Sequence, residues 1–385
     1  MKTDTIKGFN DYTGSDAMKR AKVRKIIEDV FENYGFEVAE TPIIEREEFV
    51  RSENEQDEAV SDIFKLNDKG NRNLALRYEF TFQLKRIAKQ KKLPYKRYQI
   101  GPVFRDEPVS ANRFRQFTQC DVDVVGSNLK DEAEILSTVK KIGEKLGINF
   151  EICINNRKLL NEILLSEEIK EKDFDNVVRE IDKIDKLSEK EVLDNLKKYN
   201  AEKLLKIFKK GEKEFEKFSF YKEIKELKKI CRDYGVSVKF SPSLARGLSY
   251  YNGTIFEATV GGTKESVVGG GAYLVNNIQS FGYGLGLERL TKLAQVGTDN
   301  VEILVLSINQ DKEAIKIAEK LREKGKRTIL MLDRGISKAM EYANSRDVGK
   351  VVFVGDEEIK KKKFKVKDMN SGKEKFVSGS EILKS

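Results

Sequence analysis

The chain has 385 residues, 39% hydrophobic and 36% charged, with a net charge of +9. That length suits two or three domains with a sizeable core, and the apolar share excludes wholesale disorder. It contains no His and no Trp. Ser-His-Asp triads, Cys-His dyads, His-ligated zinc and an imidazole general base supplied by the protein are therefore excluded. The basic balance favours a polyanionic partner only weakly, because both signs are abundant.

No apolar run approaches the ~18 residues of a membrane span. The first residues are polar and lack a signal-peptide core. Cys120, Cys153 and Cys231 are far apart without paired spacing, which argues against structural zinc or a disulfide framework and for a reducing cytoplasm.

In chain order, Val23, Ile26, Ile27, Val30 and Phe31 predict an amphipathic helix over 15–34, ended by Gly35. Residues 36–44 alternate like one strand, with Pro42 near its end. A short strand is expected over 73–78 and a helix over 81–90. Two strands, 96–105 and 115–126, are expected to form a hairpin with a long polar loop, followed by a helix over 131–146. From 156 to 234 glycine is scarce and charge dense, which reads as an inserted helical module. Glycine-rich strands return from Val236, and 281–294 reads as a strand entering a helix. After Val301, strands alternate with helices, as in a small α/β domain.

Four segments carry candidate chemistry. In the hairpin, Arg105, Glu107, Arg113 and Phe117 could bind a nucleotide without a P-loop: Arg suits phosphate, a carboxylate suits an exocyclic amine, and Phe stacks. A solvated charged hairpin is the other reading. Arg246 is a single charge in an uncharged strand–turn stretch, suited to an anionic substrate group or to a structural ion pair. Gly269-Gly270-Gly271 reads as a tight turn before a phosphate loop. Arg289 sits in a first helical turn against the macrodipole. The basic run Lys360–Lys363 with Lys365 and Lys367 reads as a solvated loop or a nucleic-acid contact.

These segments, in this order, resemble the class II aminoacyl-tRNA synthetases, and closely the histidyl-tRNA synthetases, over nearly the whole chain. Tyr34-Gly35-Phe36 with Thr41-Pro42-Ile43 resembles motif 1, residues 98–126 motif 2, and Gly284–Leu290 motif 3. Arg246-Gly247-Leu248-Ser249-Tyr250-Tyr251 resembles the first histidine signature, and Leu76–Thr81 an amino-acid-binding segment. Gln119-Cys120-Asp121-Val122-Asp123 looks more like the archaeal and eukaryotic branch. Ser249 stands where the family has Asp. Gly269-Gly270-Gly271-Ala272-Tyr273-Leu274 keeps the glycines and Tyr of the second signature but lacks its Arg and Asp.

The resemblance implies an α+β fold: a class II antiparallel sheet with flanking helices, a helical insertion and a C-terminal α/β anticodon-binding domain. The implied divisions are 1–155, 156–235, 236–298 and 299–385. It implies a cytoplasmic homodimeric histidine–tRNA ligase, using ATP with Mg2+, histidine and tRNA(His), with no membrane partner. Arg105 would hold the α-phosphate, Glu107 would accept from the adenine amino group, Phe117 would stack, and Arg113 and Arg289 would clamp the outer phosphates. Glu79, Thr81 and Gln119 would bind the amino acid's amino and carboxylate groups. Asp123 and Tyr251 would read the imidazole, with Tyr250 and Tyr273 beside them, and Arg246 would bridge carboxylate and α-phosphate as a catalytic residue with Arg105. No protein metal ligand is implied. A non-catalytic regulatory subunit of histidine biosynthesis is the alternative, and an RNA-binding accessory protein on the same scaffold a third.

Overall fold

The structure is a computed structural model describing residues 2–51, 62–110, 113–184, 187–245, 250–263, 265–297 and 302–383. It divides into two compact units, residues 1–12 with 20–296 and residues 13–19 with 297–385.

The first unit is built on an eight-stranded sheet. Its chain begins with β1 (Glu37–Val38), β2 (Ile44–Arg46), β3 (Lys65–Asn67) and β4 (Asn73–Leu76). There follow β5 (Tyr95–Phe104), β6 (Gln116–Val125), β7 (Phe150–Asn156), β8 (Val238–Phe240), β9 (Thr254–Val260), β10 (Val268–Val275) and β11 (Ile278–Gly286). The large sheet has the order β1-β5-β6-β11-β10-β9-β7-β8, and β2, β4 and β3 form a small separate sheet. Pairing is antiparallel except at the two ends, β1 with β5 and β7 with β8.

Alternation along β6 decides which face does what. Cys120, Val122 and Val124 point into the apolar core with Tyr98, Tyr283 and Leu285. Helix Gly14–Asn33 adds Val23, Ile27, Val30 and Phe31 to that core, and helix Leu129–Leu146 adds Ile135, Leu136, Val139 and Ile142. At the heptad-like spacing of those residues one helical face is buried, as the sequence predicts. The opposite face of β6 carries Gln119, Asp121 and Asp123. Helices from Arg157–Ser166 to Tyr221–Asp233 fill the predicted insertion, and their buried side chains join the same continuous apolar cluster.

Three expectations need correction. Residues 36–44 are not one strand: β1 stops at Val38 and β2 starts at Ile44. Pro42 has no N–H to donate to a ladder. Side chains hold this stretch instead, with Arg77 Nη1 donating to Thr41 O at 2.7 Å and Gln83 Nε2 to Pro42 O at 2.8 Å. Gly269-Gly270-Gly271 is not a turn but lies inside β10. A Cβ at Gly271 would come within 2.6 Å of Thr254 O, so close cross-strand approach explains the glycine. The turn comes at Asn276-Asn277, both at positive φ, which joins β10 to β11 as a two-residue hairpin. The basic run is not a loop either, because it spans a helix end and a strand.

The second unit contains β12 (Ile303–Ser307), β13 (Thr328–Met331), β14 (Lys350–Val354), β15 (Lys363–Asp368) and β16 (Glu374–Ser378). The sheet order is β13-β12-β14-β15-β16, parallel among the first three and antiparallel thereafter. The parallel α/β part matches the sequence expectation. The antiparallel β15–β16 pair was not expected, since its alternating Lys residues mask the strand pattern. Helix Asp311–Glu323 packs on one face of the sheet and helix Ile336–Ser345 on the other.

Candidate active site

A cavity of about 330 Å³ opens on the polar face of the large sheet. Of the residues proposed from sequence, it brings together Glu79, Thr81, Arg105, Phe117, Gln119, Asp123, Tyr250, Tyr251 and Tyr273. They come from five places in the chain: the start of helix Thr81–Ala88, both arms of the β5–β6 hairpin, the stretch before β9, and β10. Glu107, Arg113 and Arg289 are not among its lining residues. Arg246 and Ser249 lie outside the described residues.

At the hairpin end, Arg105 follows β5 directly. Its guanidinium lies 5.2 Å from the Phe117 ring centroid, and its Nε donates to Tyr78 O at 3.2 Å. Glu107 sits between two cations, 3.9 Å from Arg105 and 3.8 Å from Arg113. At a second edge, Arg289 Nη1 donates to Ser266 O, and Nη2 is 3.6 Å from Glu265. The helix carrying Arg289 is anchored by its neighbour Glu288, which accepts from Thr118 N at 2.9 Å and pairs with Arg20 at 2.8 Å.

Deeper in, strand register builds the floor. Asp123 faces Arg97 across β5 and Gly282 across β11; Asp121 faces Gln99 and Gly284. Residues directly opposite in antiparallel strands share a face, so these form two rows. Arg97 Nη2 is 2.8 Å from Asp123 Oδ2, and Arg97 is wholly buried. The Tyr273 hydroxyl donates to Asp123 Oδ1. Asp123, expected to read an imidazole, therefore has both oxygens engaged within the protein. The glycines make room: a Cβ at Gly282 would lie 2.1 Å from Asp123 Oδ1, and one at Gly284 2.8 Å from Asp121 Oδ1.

Burial dominates the electrostatics of this floor. It pushes the Asp121 carboxyl up to about 8, with Arg97 opposing and Asp123 reinforcing the rise. Asp123 is raised by burial too, against Arg97 and the Tyr273 hydrogen bond. Burial alone would lower Arg97, but Asp123 and Asp121 outweigh it. Tyr273 and Tyr250 are held neutral, raised well above the ordinary phenol value chiefly by burial. The result is a pocket with buried carboxyls on its floor and Arg105 at its hairpin end, suited to a cationic group at one end and a phosphate at the other.

Sequence reasoning passed over Arg97 and gave no role in the pocket to Asp121 or the β11 glycines. The available signal was the polar–apolar alternation from Gln119 to Val124, which places Asp121 on the same face as Gln119 and Asp123.

Comparison with known proteins identifies the family. The family model described as histidyl-tRNA synthetase matches residues 8–290, and the anticodon binding domain model matches residues 300–385. The chain belongs to the histidyl-tRNA synthetase family. It is 32% identical over 413 residues to histidine–tRNA ligase 2 of Shouchella clausii, covering 97% of each chain. With the histidine–tRNA ligase of Wolinella succinogenes it shares 32% over 433 residues, covering 98% of this chain and 97% of that one. The crystal structure of histidyl-tRNA synthetase from Nostoc sp. superposes with a TM-score of 0.87 at 27% identity, covering 100% of this chain and 99% of the other. A Bacillus halodurans structure titled ATP phosphoribosyltransferase regulatory subunit/histidyl-tRNA synthetase has a TM-score of 0.79 at 19% identity, a likeness of fold alone. It covers 92% of this chain and 99% of that one.

Proposed function

We propose that histidine and ATP react in the cavity over β6, with ATP at the hairpin end and the imidazole towards Asp123. The chain is a histidine–tRNA ligase. It joins histidine to ATP as histidyl-adenylate, releasing pyrophosphate, and passes histidine to the 3′ end of tRNA(His). The observation that carries the placement is the single file of Phe117, Gln119, Asp121 and Asp123 along one face of β6, all lining one cavity.

A carboxylate oxygen of histidine attacks the α-phosphorus, and the bond to pyrophosphate breaks. This step needs charge neutralisation and in-line alignment more than a base, so a chain without His can perform it. Arg105 neutralises the α-phosphate. Leaving the Phe117 face for that task opens the ring to adenine, whose amino group Glu107 accepts. Arg113 and Arg289 hold the outer phosphates, and Arg246 bridges carboxylate and α-phosphate. Glu79, Thr81 and Gln119 take the amino acid's polar groups, and Tyr250, Tyr251 and Tyr273 wall the imidazole. In the second step the terminal adenosine hydroxyl attacks the acyl carbon and AMP leaves, a phosphate oxygen taking the proton. Magnesium belongs to the ATP substrate here. It would ride on phosphate oxygens and water with one or two carboxylates at most.

Homodimerisation through the motif 1 region is part of this reading. Val38, Ile43 and Ile44 are exposed there, at 65%, 40% and 49%. So are the divisions at 155, 235 and 298, a cytoplasmic location and tRNA contacts by the C-terminal unit. Among the described residues no helix is long and apolar enough to cross a membrane. An archaeal cast rests on Gln119–Asp123 alone, and the relatives named above are bacterial. The regulatory-subunit reading is weaker, since relatives matching the full chain at about 30% identity are named ligases.

Amino-acid-dependent ATP–pyrophosphate exchange with each standard amino acid tests the reading. Exchange with histidine alone is expected. Folded protein that exchanges with none would favour the regulatory subunit.

A further inference from the structure

Two buried groups under the cavity have no part in the chemistry above. Arg97 is fully buried, and its Nε and Nη1 find no hydrogen-bond partner among the described residues. Asp121 is 4% exposed; its Oδ2 accepts from Gln119 Nε2 at 3.0 Å, and its Oδ1 has no hydrogen-bond partner among the described residues. Gln119 Oε1 is likewise buried and unpartnered, on a residue that lines the cavity. Unsatisfied buried polar atoms are costly in a protein that leaves them so, and the three residues carrying these four lie together on one face.

An amide carries a donor on one side and an acceptor on the other. An ionised carboxylate only accepts. While Asp121 is ionised, Gln119 must turn its nitrogen toward it, and Oε1 is left for the cavity. If Asp121 were protonated, its hydroxyl could donate to Oε1, and the amide could turn over and present N–H groups instead. Those would face an ammonium ion donor to donor. The charge on Asp121 therefore selects what Gln119 offers, and Arg97 is the cation that opposes the effect of burial on Asp121. With the protein's groups alone, the Asp121 carboxyl stands at about 8 even with Arg97 opposing; the substrate's own ammonium, a further cation beside it, draws it down into the ionised form as histidine binds.

We propose that Asp121 and Arg97 are positioning residues that act through Gln119, fixing its amide so that Oε1 accepts from the α-ammonium of histidine. This deepens the proposed function and rests on it. Neither residue touches the reacting atoms. Together they set the discrimination between histidine and the same molecule without its amino group.

The test uses full-length protein in histidine-dependent ATP–pyrophosphate exchange, with 3-(imidazol-4-yl)propionate as competitive inhibitor. The readout is the ratio of the inhibitor's Ki to the KM for histidine. Asp121→Asn removes the charge and lets the amide face either way. It should raise KM for histidine about tenfold or more, the worth of a hydrogen bond to a charged group. The Ki of the propionate and the KM for ATP should stay within about twofold, so the ratio collapses. Arg97→Lys keeps a cation without the planar fork and should move the ratio in the same direction by less. If Asp121→Asn melts below the assay temperature, Arg97→Lys decides on the same ratio. A ratio unchanged from wild type, whether because both constants rise together or because neither moves, overturns the proposal and leaves the ligase reading intact. Folded wild-type protein without histidine-dependent exchange overturns the ligase reading and this inference with it.

Discussion

The two large sheets are stabilised in different ways. In the first unit, the sheet buries Arg97, Asp121 and Asp123 on one face, while Glu79, Arg77 and Glu288 are buried around it. In the second unit, Ser307 is the only buried polar residue among those described, and both faces of the sheet pack apolar side chains. A buried ion pair is a poor source of stability compared with well-packed apolar groups. The contrast teaches where each unit does its work. The first buries its charged groups on the sheet face itself, where the proposed chemistry would sit. The second keeps an ordinary core and leaves only its surface for recognition.

Four variants break or sharpen that contrast. The largest effect is expected from Asp123→Ala, which strips Arg97 of its closest partner; urea unfolding should show a loss of about 3–5 kcal/mol. A loss under about 1 kcal/mol would mean that Asp121 alone compensates the buried cation. Gly282→Ala puts a methyl 2.1 Å from Asp123 Oδ1 and 2.6 Å from Val122 O, so something must shift. Displacing the floor by an ångström should lower histidine-dependent exchange by about a hundredfold or more. Near-normal exchange would show that the floor yields.

Glu132 extends the contrast to pH. Burial pushes its carboxyl from 4.5 up to about 7. The folded chain then holds a proton there that the unfolded chain gives up, so this group costs nothing below about pH 4 and weakens the fold progressively as pH rises through 7. Glu132→Gln should raise stability by about 1–3 kcal/mol at pH 8 and leave it unchanged near pH 4. Equal stability gains at both values would contradict the titration. The smallest effect belongs to the second unit. Ile303→Val should cost about 1 kcal/mol there, with exchange unaffected; a fall in exchange would mean that the second core also serves adenylation.

The hairpin was legible nearly to the residue: strands expected at 96–105 and 115–126 run Tyr95–Phe104 and Gln116–Val125. Its polar–apolar alternation is a local property, and local patterns survive into the fold. Arg97 was not legible. A lone Arg in an apolar strand gains meaning only from Asp123 opposite it, and register between strands is set by the whole sheet. The β10 glycines misled for a similar reason. Glycine signals turns along the chain, whereas here it answers crowding from the neighbouring strands. The cavity gathers most of the residues proposed for histidine, because the motifs carrying them are short and ordered. Glu107, Arg113 and Arg289 stand off it, held by ion pairs of their own.

The row Arg97–Asp123–Gly282 also constrains how this pocket can change over generations. Each member is tolerable only beside the other two: the cation needs the acid, the acid needs the cation, and both need the missing side chain. Single substitutions that remove a charge or fill the gap therefore lead into a valley of unstable or inactive chains, and a new specificity is reached more readily by several replacements at once. A library that varies these positions one at a time would find little beyond conservative replacements such as Arg97→Lys. One that varies 97, 121, 123 and 282 jointly could reach pockets the single steps never visit.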